Sequence, residues 1–303
     1  MSDSKIVTMQ ERDMKKVTSN QRIVKILVQI GLYLFLGIMA LIVIFPFYWM
    51  IISSGKTISE YEMSTPTLFP QEIYFKENYA EAFKAASLLN LFKNTVIVGI
   101  VSTLLSLVVT VITAFVFARL EFKGKNALFA FLLATMMIPG ELFTITNYVT
   151  VSNWEWVKSN STFEGYAVLI VPFLVSVFYI YLLRQNFLQI PNELYLAAKV
   201  DGTKDLKYLW KVMIPLALPT LISVTILKMM GAWNSYMWPN LVSNEKFWLI
   251  TNGIRSSFQA NSDKTNIPAQ MAAVTIVSIP LFLVFIFLRK YIMKGVSRSG
   301  IKG

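Results

Sequence analysis

Between Lys25 and Lys56 the chain carries no charged side chain, and the run closes on Phe45-Pro-Phe-Tyr-Trp. A stretch of that length exceeds the roughly 20 residues a helix needs to cross a hydrocarbon core, and its aromatic end suits a membrane interface. In lipid every backbone polar group must be satisfied within the protein, which confines the fold to helices or a closed barrel. Five more apolar segments follow: between Lys93 and Arg119, from about Ala127 to Tyr148, between Glu164 and Arg184, from about Val212 to Trp238, and between Lys264 and Arg289. The third is interrupted by Pro139-Gly140 and Glu141, and the fifth contains Lys228. With 55% hydrophobic and 15% charged residues, the chain has too little charge to cover a soluble domain of its size. An all-α membrane protein with six transmembrane helices is expected.

Charge bias sets the orientation. With the N-terminus inside, cytosolic segments hold 19 of the 28 Lys and Arg residues, external segments hold 8, and Lys228 lies within the membrane. Both termini and the segment 188–211 are then cytosolic. This divides the chain into an N-terminal cytosolic arm (1–25), a six-span domain (26–295) and a C-terminal tail (296–303). External loops are expected at about 56–92, 149–164 and 239–268, and Asn78-Tyr-Ala-Glu-Ala-Phe reads as a short surface helix. Residues 1–25 are polar and charged, unlike a signal peptide. The absence of cysteine and histidine removes thiol and imidazole chemistry, and a metal site is not expected.

One polar island stands out, Ile190-Pro-Asn-Glu-Leu-Tyr-Leu-Ala-Ala-Lys-Val-Asp-Gly-Thr-Lys-Asp-Leu. Pro191 ends the preceding helix. Asn192 is a suitable N-cap, and Glu193 falls in the first turn, where the helix dipole favours negative charge. Ala197 and Ala198 offer a low surface, Asp201-Gly202 permits a turn, and Thr203 can cap a second short helix. Any cytosolic loop can contain such a capped amphipathic pair, so these signals alone do not assign a role.

The wider pattern does point to one. Glu193-Leu-Tyr-Leu-Ala-Ala-Lys-Val-Asp-Gly-Thr followed by Val212-Met-Ile-Pro-Leu-Ala-Leu-Pro resembles the signature loop of binding-protein-dependent ABC importer permeases. Trp233-Asn-Ser-Tyr-Met-Trp-Pro resembles the fifth-span signature of their carbohydrate-uptake branch. Phe92-Lys-Asn-Thr, Ala118-Arg-Leu-Glu-Phe-Lys-Gly, Pro139-Gly140 and Leu183-Arg-Gln-Asn-Phe match in the same order, and 295–303 is similar to the family's short tail. The likeness covers residues 24–303 and is strongest to the G-type subunit of maltose permeases. One position departs: the signature's Glu-Ala-Ala reads Leu196-Ala197-Ala198.

The resemblance implies a type I importer permease fold and a mechanical role for the loop. It would form a coupling helix seated in a cytosolic ATPase, with Glu193, Ala197, Ala198, Asp201 and Gly202 at the contact. The tail from Ser297 would reach between the ATPase subunits. Implied partners are a second permease in a heterodimer, an ATPase dimer and an external binding protein, all at a bacterial cytoplasmic membrane. The chain has no Gly-x-x-x-x-Gly-Lys-Ser/Thr phosphate loop, so ATP and Mg would bind the partner ATPase and this chain would hold no cofactor and catalyse nothing. The implied function is import of a sugar or oligosaccharide. A non-sugar solute such as a phosphorylated polyol is the nearer alternative. An ion-coupled transporter would need paired repeats and clustered carboxylates, neither of which is visible.

A substrate pathway is expected along Glu141, Lys228, Trp233 and Asn234. A charge at the centre of a span costs roughly 2.5–3.5 kcal/mol on insertion scales and should face protein or water. Thr225, Lys228, Gly231 or Ala232, and Ser235 share one helical face. Three roles are open to Lys228: contact with an anionic substrate, pairing with a partner's carboxylate, or snorkelling. Glu141 could line a cavity, pair with Lys228 or reach the outer interface. Trp233 and Asn234 suit sugar chemistry or simple packing, and Trp238 suits an interfacial belt or packing.

Overall fold

The computed structural model describes residues 3–85, 87–259 and 266–297, with side chains over 24–84, 87–258 and 266–287. Every regular element among them is helical. The tail beyond Ser297 lies outside the described residues.

Helix α1 runs from Asp3 to Ser53, so the expected N-terminal arm continues straight into the first span. Pro46 sits inside it, a placement that membrane helices tolerate when neighbours re-satisfy the backbone. The apolar window within Val24–Ser53 is unburied. Its main packing partner is the last helix, α15 (Ile267–Ser297), reached through an edge-to-face contact of Phe47 with Phe282 at 5.3 Å. Two short helices, α2 (Ile58–Tyr61) and α3 (Phe75–Ala85), fill the first inter-span loop, the latter where a surface helix is expected.

The axis of the bundle is α4 (Leu88–Arg119). One side packs on α8 (Val177–Leu188) and another on α12 (Leu218–Trp233). Gly99 leaves room for Met229 of α12, whose sulfur would lie 2.6 Å from a Cβ at that position and would have to shift. Small polar residues Ser102, Ser106 and Thr110 are buried at one-turn spacing along α4.

Three helices are long and apolar enough to cross a membrane unbroken: Val24–Ser53, Leu88–Arg119 and Ile267–Phe287. The third expected span is divided at Pro139-Gly140 into α5 (Lys125–Thr135) and α6 (Leu142–Asn153), of 11 and 12 residues. The fourth departs from the unbroken helix expected over 164–184. Helix α7 (Thr162–Ile170) leads through a tight turn at Val171–Phe173, and α8 resumes at a 54° angle. Pro172 supplies the cause, because it removes an amide donor and crowds the preceding turn.

The fifth span is also displaced. After α9 (Asn192–Val200), α10 (Asp205–Tyr208), a wide turn at Leu209–Met213 and α11 (Ile214–Leu216), the chain bends 82° at Ala217 before α12 begins. Residues 212–216 therefore belong to the lead-in and not to the span. Pro215 and Pro219 flank the bend, and neither can donate to an uninterrupted helix. At 16 residues α12 is about 24 Å long, short of a full crossing. The chain continues past it through α13 (Met237–Val242) and α14 (Ile250–Gln259).

Candidate functional site

The signature island folds as two short helices meeting at a turn. Pro191 is the N-cap of α9, with φ −54° and ψ 134°, so Asn192 is the first helical residue and not the cap. The proline holds the extended backbone that a cap position needs. Likewise α10 is capped at Lys204, one residue beyond Thr203. Between them the chain reverses at Gly202, whose φ of +67° belongs to the left-handed region. Its amide donates to Lys199 O at 3.0 Å, and the Thr203 amide donates to Ala198 O at 2.8 Å. This pair of bonds is the Schellman closure, which satisfies the orphan carbonyls at the end of α9.

Side chains then lock the hairpin. Lys199 Nζ lies 2.7 Å from Asp205 Oδ1, and the Tyr195 hydroxyl donates to the same oxygen at 2.8 Å. The bond from Lys199, then that from Tyr195, holds the Asp205 carboxyl below its ordinary range. The bond to Asp205 raises Lys199 in turn. The Tyr195 ring packs on buried Tyr208 at 5.1 Å. Of the residues expected at a docking contact, Glu193, Ala197, Asp201 and Gly202 are exposed, while half-buried Ala198 packs against the core beneath. Leu196, Val200, Leu206 and Trp210 add exposed apolar surface, Val200 at 88%. Exposed apolar side chains on a short surface hairpin are of the kind that interaction surfaces carry.

Two arginines join α4 to α8 and to the residue that leads into the hairpin. Arg119, 8% exposed at the end of α4, donates through Nη2 to Phe187 O at 2.8 Å and Ile190 O at 2.6 Å. Arg184 of α8 donates through Nε to Phe117 O at 3.0 Å, with its guanidinium over the Phe129 ring at 4.1 Å. Both arginines stand in motifs legible in the sequence, but their reciprocal roles were not, because the two segments meet only in three dimensions.

A separate cavity of about 470 Å³ opens among α4, α6, the α7–α8 break and α12. Lys228 lines it and donates through Nζ to Phe173 O at 2.5 Å, a carbonyl freed by the break. Ser102, Asn147, Ser176, Tyr179 and Ser235 supply polar groups. Trp238 contributes a ring edge-on to Phe173 at 5.6 Å, and its indole donates to Val168 O at 2.9 Å. Trp238 is thus packed, 5% exposed, as its alternative reading requires.

The four residues expected along a substrate pathway do not converge. Glu141 is exposed at the start of α6 and does not line the Lys228 cavity, although Gly140 does. Trp233 is 5% exposed and packs edge-to-face on Phe92 at 5.6 Å. With Asn234 it lines a different cavity, facing α14 and α15. Asn147, Ser176 and Tyr179 were not singled out in the sequence, since no periodic pattern crosses the two broken spans.

Residues 106–298 match the family described as the binding-protein-dependent transport system inner membrane component. The chain belongs to that family. A probable ABC transporter permease protein of Mycoplasma genitalium is 30% identical over 282 residues, covering 89% of this chain and 87% of the relative. The arabinooligosaccharides transport permease AraQ of Halalkalibacterium halodurans is 30% identical over 268 residues, covering 87% and 93%. A crystal structure of a bacterial ABC transporter involved in import of the acidic polysaccharide alginate matches with TM-score 0.77 and 22% identity, over 88% of this chain and 96% of that one. The permease therefore has the type I importer fold and is a non-enzymatic inner-membrane subunit of an ABC transporter. Its expected family, fold class and membrane location stand. ATPase and binding-protein partners follow in general terms from family membership.

Proposed function

We propose that this permease is one half of a heterodimer through which a sugar or oligosaccharide, delivered by an external binding protein, is imported at the expense of ATP. The α9–α10 hairpin is its joint with the ATPase. The observation that carries this assignment is the combination of an exposed apolar patch, the flat Ala197 position and a Schellman turn at Gly202, all anchored to α4 by Arg119. Movement of the hairpin would pass directly into the two helices that Arg119 and Arg184 hold together. ATP and Mg bind the ATPase partner, and this chain supplies no cofactor site.

The sugar cargo is supported by relatives named for oligosaccharide uptake, including AraQ and a diacetylchitobiose permease of Streptomyces coelicolor. The bias of Lys and Arg supports a topology with both termini and the hairpin in the cytosol and loops 56–92, 149–164 and 239–268 outside. The unburied apolar face of α1 is covered by lipid and the second permease. Reconstitution of the two permeases, the ATPase and the binding protein in proteoliposomes tests the reading. Sugar uptake should require internal ATP and the binding protein. Uptake by this chain alone, driven by an ion gradient, would contradict it.

A further inference from the structure

We propose that the cavity around Lys228 is a binding site for an anionic, hydroxyl-rich ligand, a sugar or polyol carrying a carboxylate or a phosphate. The proposal deepens, and rests on, the reading of the chain as a sugar-importer subunit. An ammonium has three donors and no acceptor, and Phe173 O takes one of them. No Asp or Glu lines the cavity among the described residues, and Glu141 is exposed outside that lining. Nor does Lys228 form an ion pair with any described carboxylate. A half-buried cation within a span, without a counter-ion, is unfavourable and calls for an anion.

The rest of the lining narrows the class. Ser102, Asn147, Ser176 and Ser235 offer the short donors and acceptors that ligand hydroxyls require. Phe173, Tyr179 and Trp238 offer apolar ring surface for C–H faces. The volume falls in the ~300–1,000 Å³ range of small-molecule sites. Other cavity-lining cations differ: Lys93, Lys246 and Arg255 are exposed to water and need no counter-ion, Lys125 pairs with Glu121, and Arg184 shares its cavity with Glu121. Lys228 combines confinement with an unmet charge.

The test uses the assembled importer, both permeases with the ATPase and without the binding protein, and three probes: digalacturonate, glucose 1-phosphate and neutral lactose. Binding is measured by calorimetry for wild type, Lys228→Met and Lys228→Arg. At least one anionic probe should bind wild type more tightly than lactose does, and the one that does separates carboxylate from phosphate. Lys228→Met should weaken it by about tenfold or more, while Lys228→Arg retains it and lactose binding is unchanged. Equal binding of lactose and the anions to wild type, no binding of any probe, or undiminished anion binding in Lys228→Met overturns the proposal. Loss of the second permease from the Lys228→Met complex also overturns it, since the counter-ion would then be the partner's. Each of these leaves the importer reading intact so long as ATP-driven sugar uptake persists, and only loss of that uptake in wild type removes both.

Discussion

Arg119 and Arg184 close each other's helix: Arg119 at the end of α4 holds the carbonyls that finish α8, and Arg184 of α8 holds the Phe117 carbonyl of α4. The signature hairpin begins directly after Ile190, so a load on α9 reaches α4 through a charged fork and not through a flexible loop. Arginine suits the position because its planar donors reach two carbonyls at once.

Replacing Arg119 by Met should leave the Ile190 carbonyl without its charged donor and Phe187 O with only its backbone donors, and each charged hydrogen bond is worth about 1.5–3 kcal/mol. Lysine at 119 carries the charge without the fork and should recover only part of the function. The expected outcome is an assembled complex that hydrolyses ATP but transports poorly, read as the ratio of sugar moved to ATP consumed. An unchanged ratio in Arg119→Met would remove Arg119 from the transmission path.

Gly202 has open space around it, so its constraint is backbone and not packing. Alanine there must adopt a left-handed conformation at a cost of roughly 1–2 kcal/mol, loosening the Schellman closure. Asparagine, which visits that region more readily, should be milder if backbone strain dominates. Amide hydrogen exchange at Gly202 and Thr203 measures the loosening directly, and it should be faster in Gly202→Ala than in Gly202→Asn.

The Lys199–Asp205 bond gives the hairpin a defined pH range. The Asp205 carboxyl is lowered, so its contribution is present above the unfolded-chain value and is lost as pH falls through the folded one. Lys199 is raised, so its contribution is present below the unfolded value and is lost as pH rises through the folded one. The pair should therefore persist across neutral pH, between about 5 and 9, and yield only toward the extremes. Exchange rates of α9 amides, corrected for their intrinsic pH dependence, should stay flat over that window in wild type. In Asp205→Asn they should be raised throughout it.

What the sequence revealed and what it hid divide along a physical line. Signals carried by neighbouring residues were readable: the apolar runs, the turn at Gly202, the break at Pro139-Gly140. The break at Pro172 was also present in the sequence, yet a hydrophobic window from Glu164 to Arg184 averages over a single proline. The bend at Ala217 was hidden because Val212–Leu216 is as apolar as a span although it precedes the turn. Residues of the Lys228 cavity come from α4, α6, α7, α8, α12 and α13, separated by breaks, and no spacing rule links Ser102, Asn147 and Ser176. Lys228 itself was legible, since a lone charge in an apolar run signals its own cost. Trp233 and Asn234 show the limit of a motif, which places both near the end of α12 without saying which cavity they line.

The central claim is that α9 seats in the ATPase. The chain contains no native cysteine, so Ala197→Cys introduces a single thiol on the exposed face of that helix. Short bifunctional crosslinking of the assembled importer should join this position to the ATPase subunit, with a yield that changes between nucleotide-free and ATP-bound states. A complex that transports sugar but forms no crosslink from position 197 in either state would contradict the account.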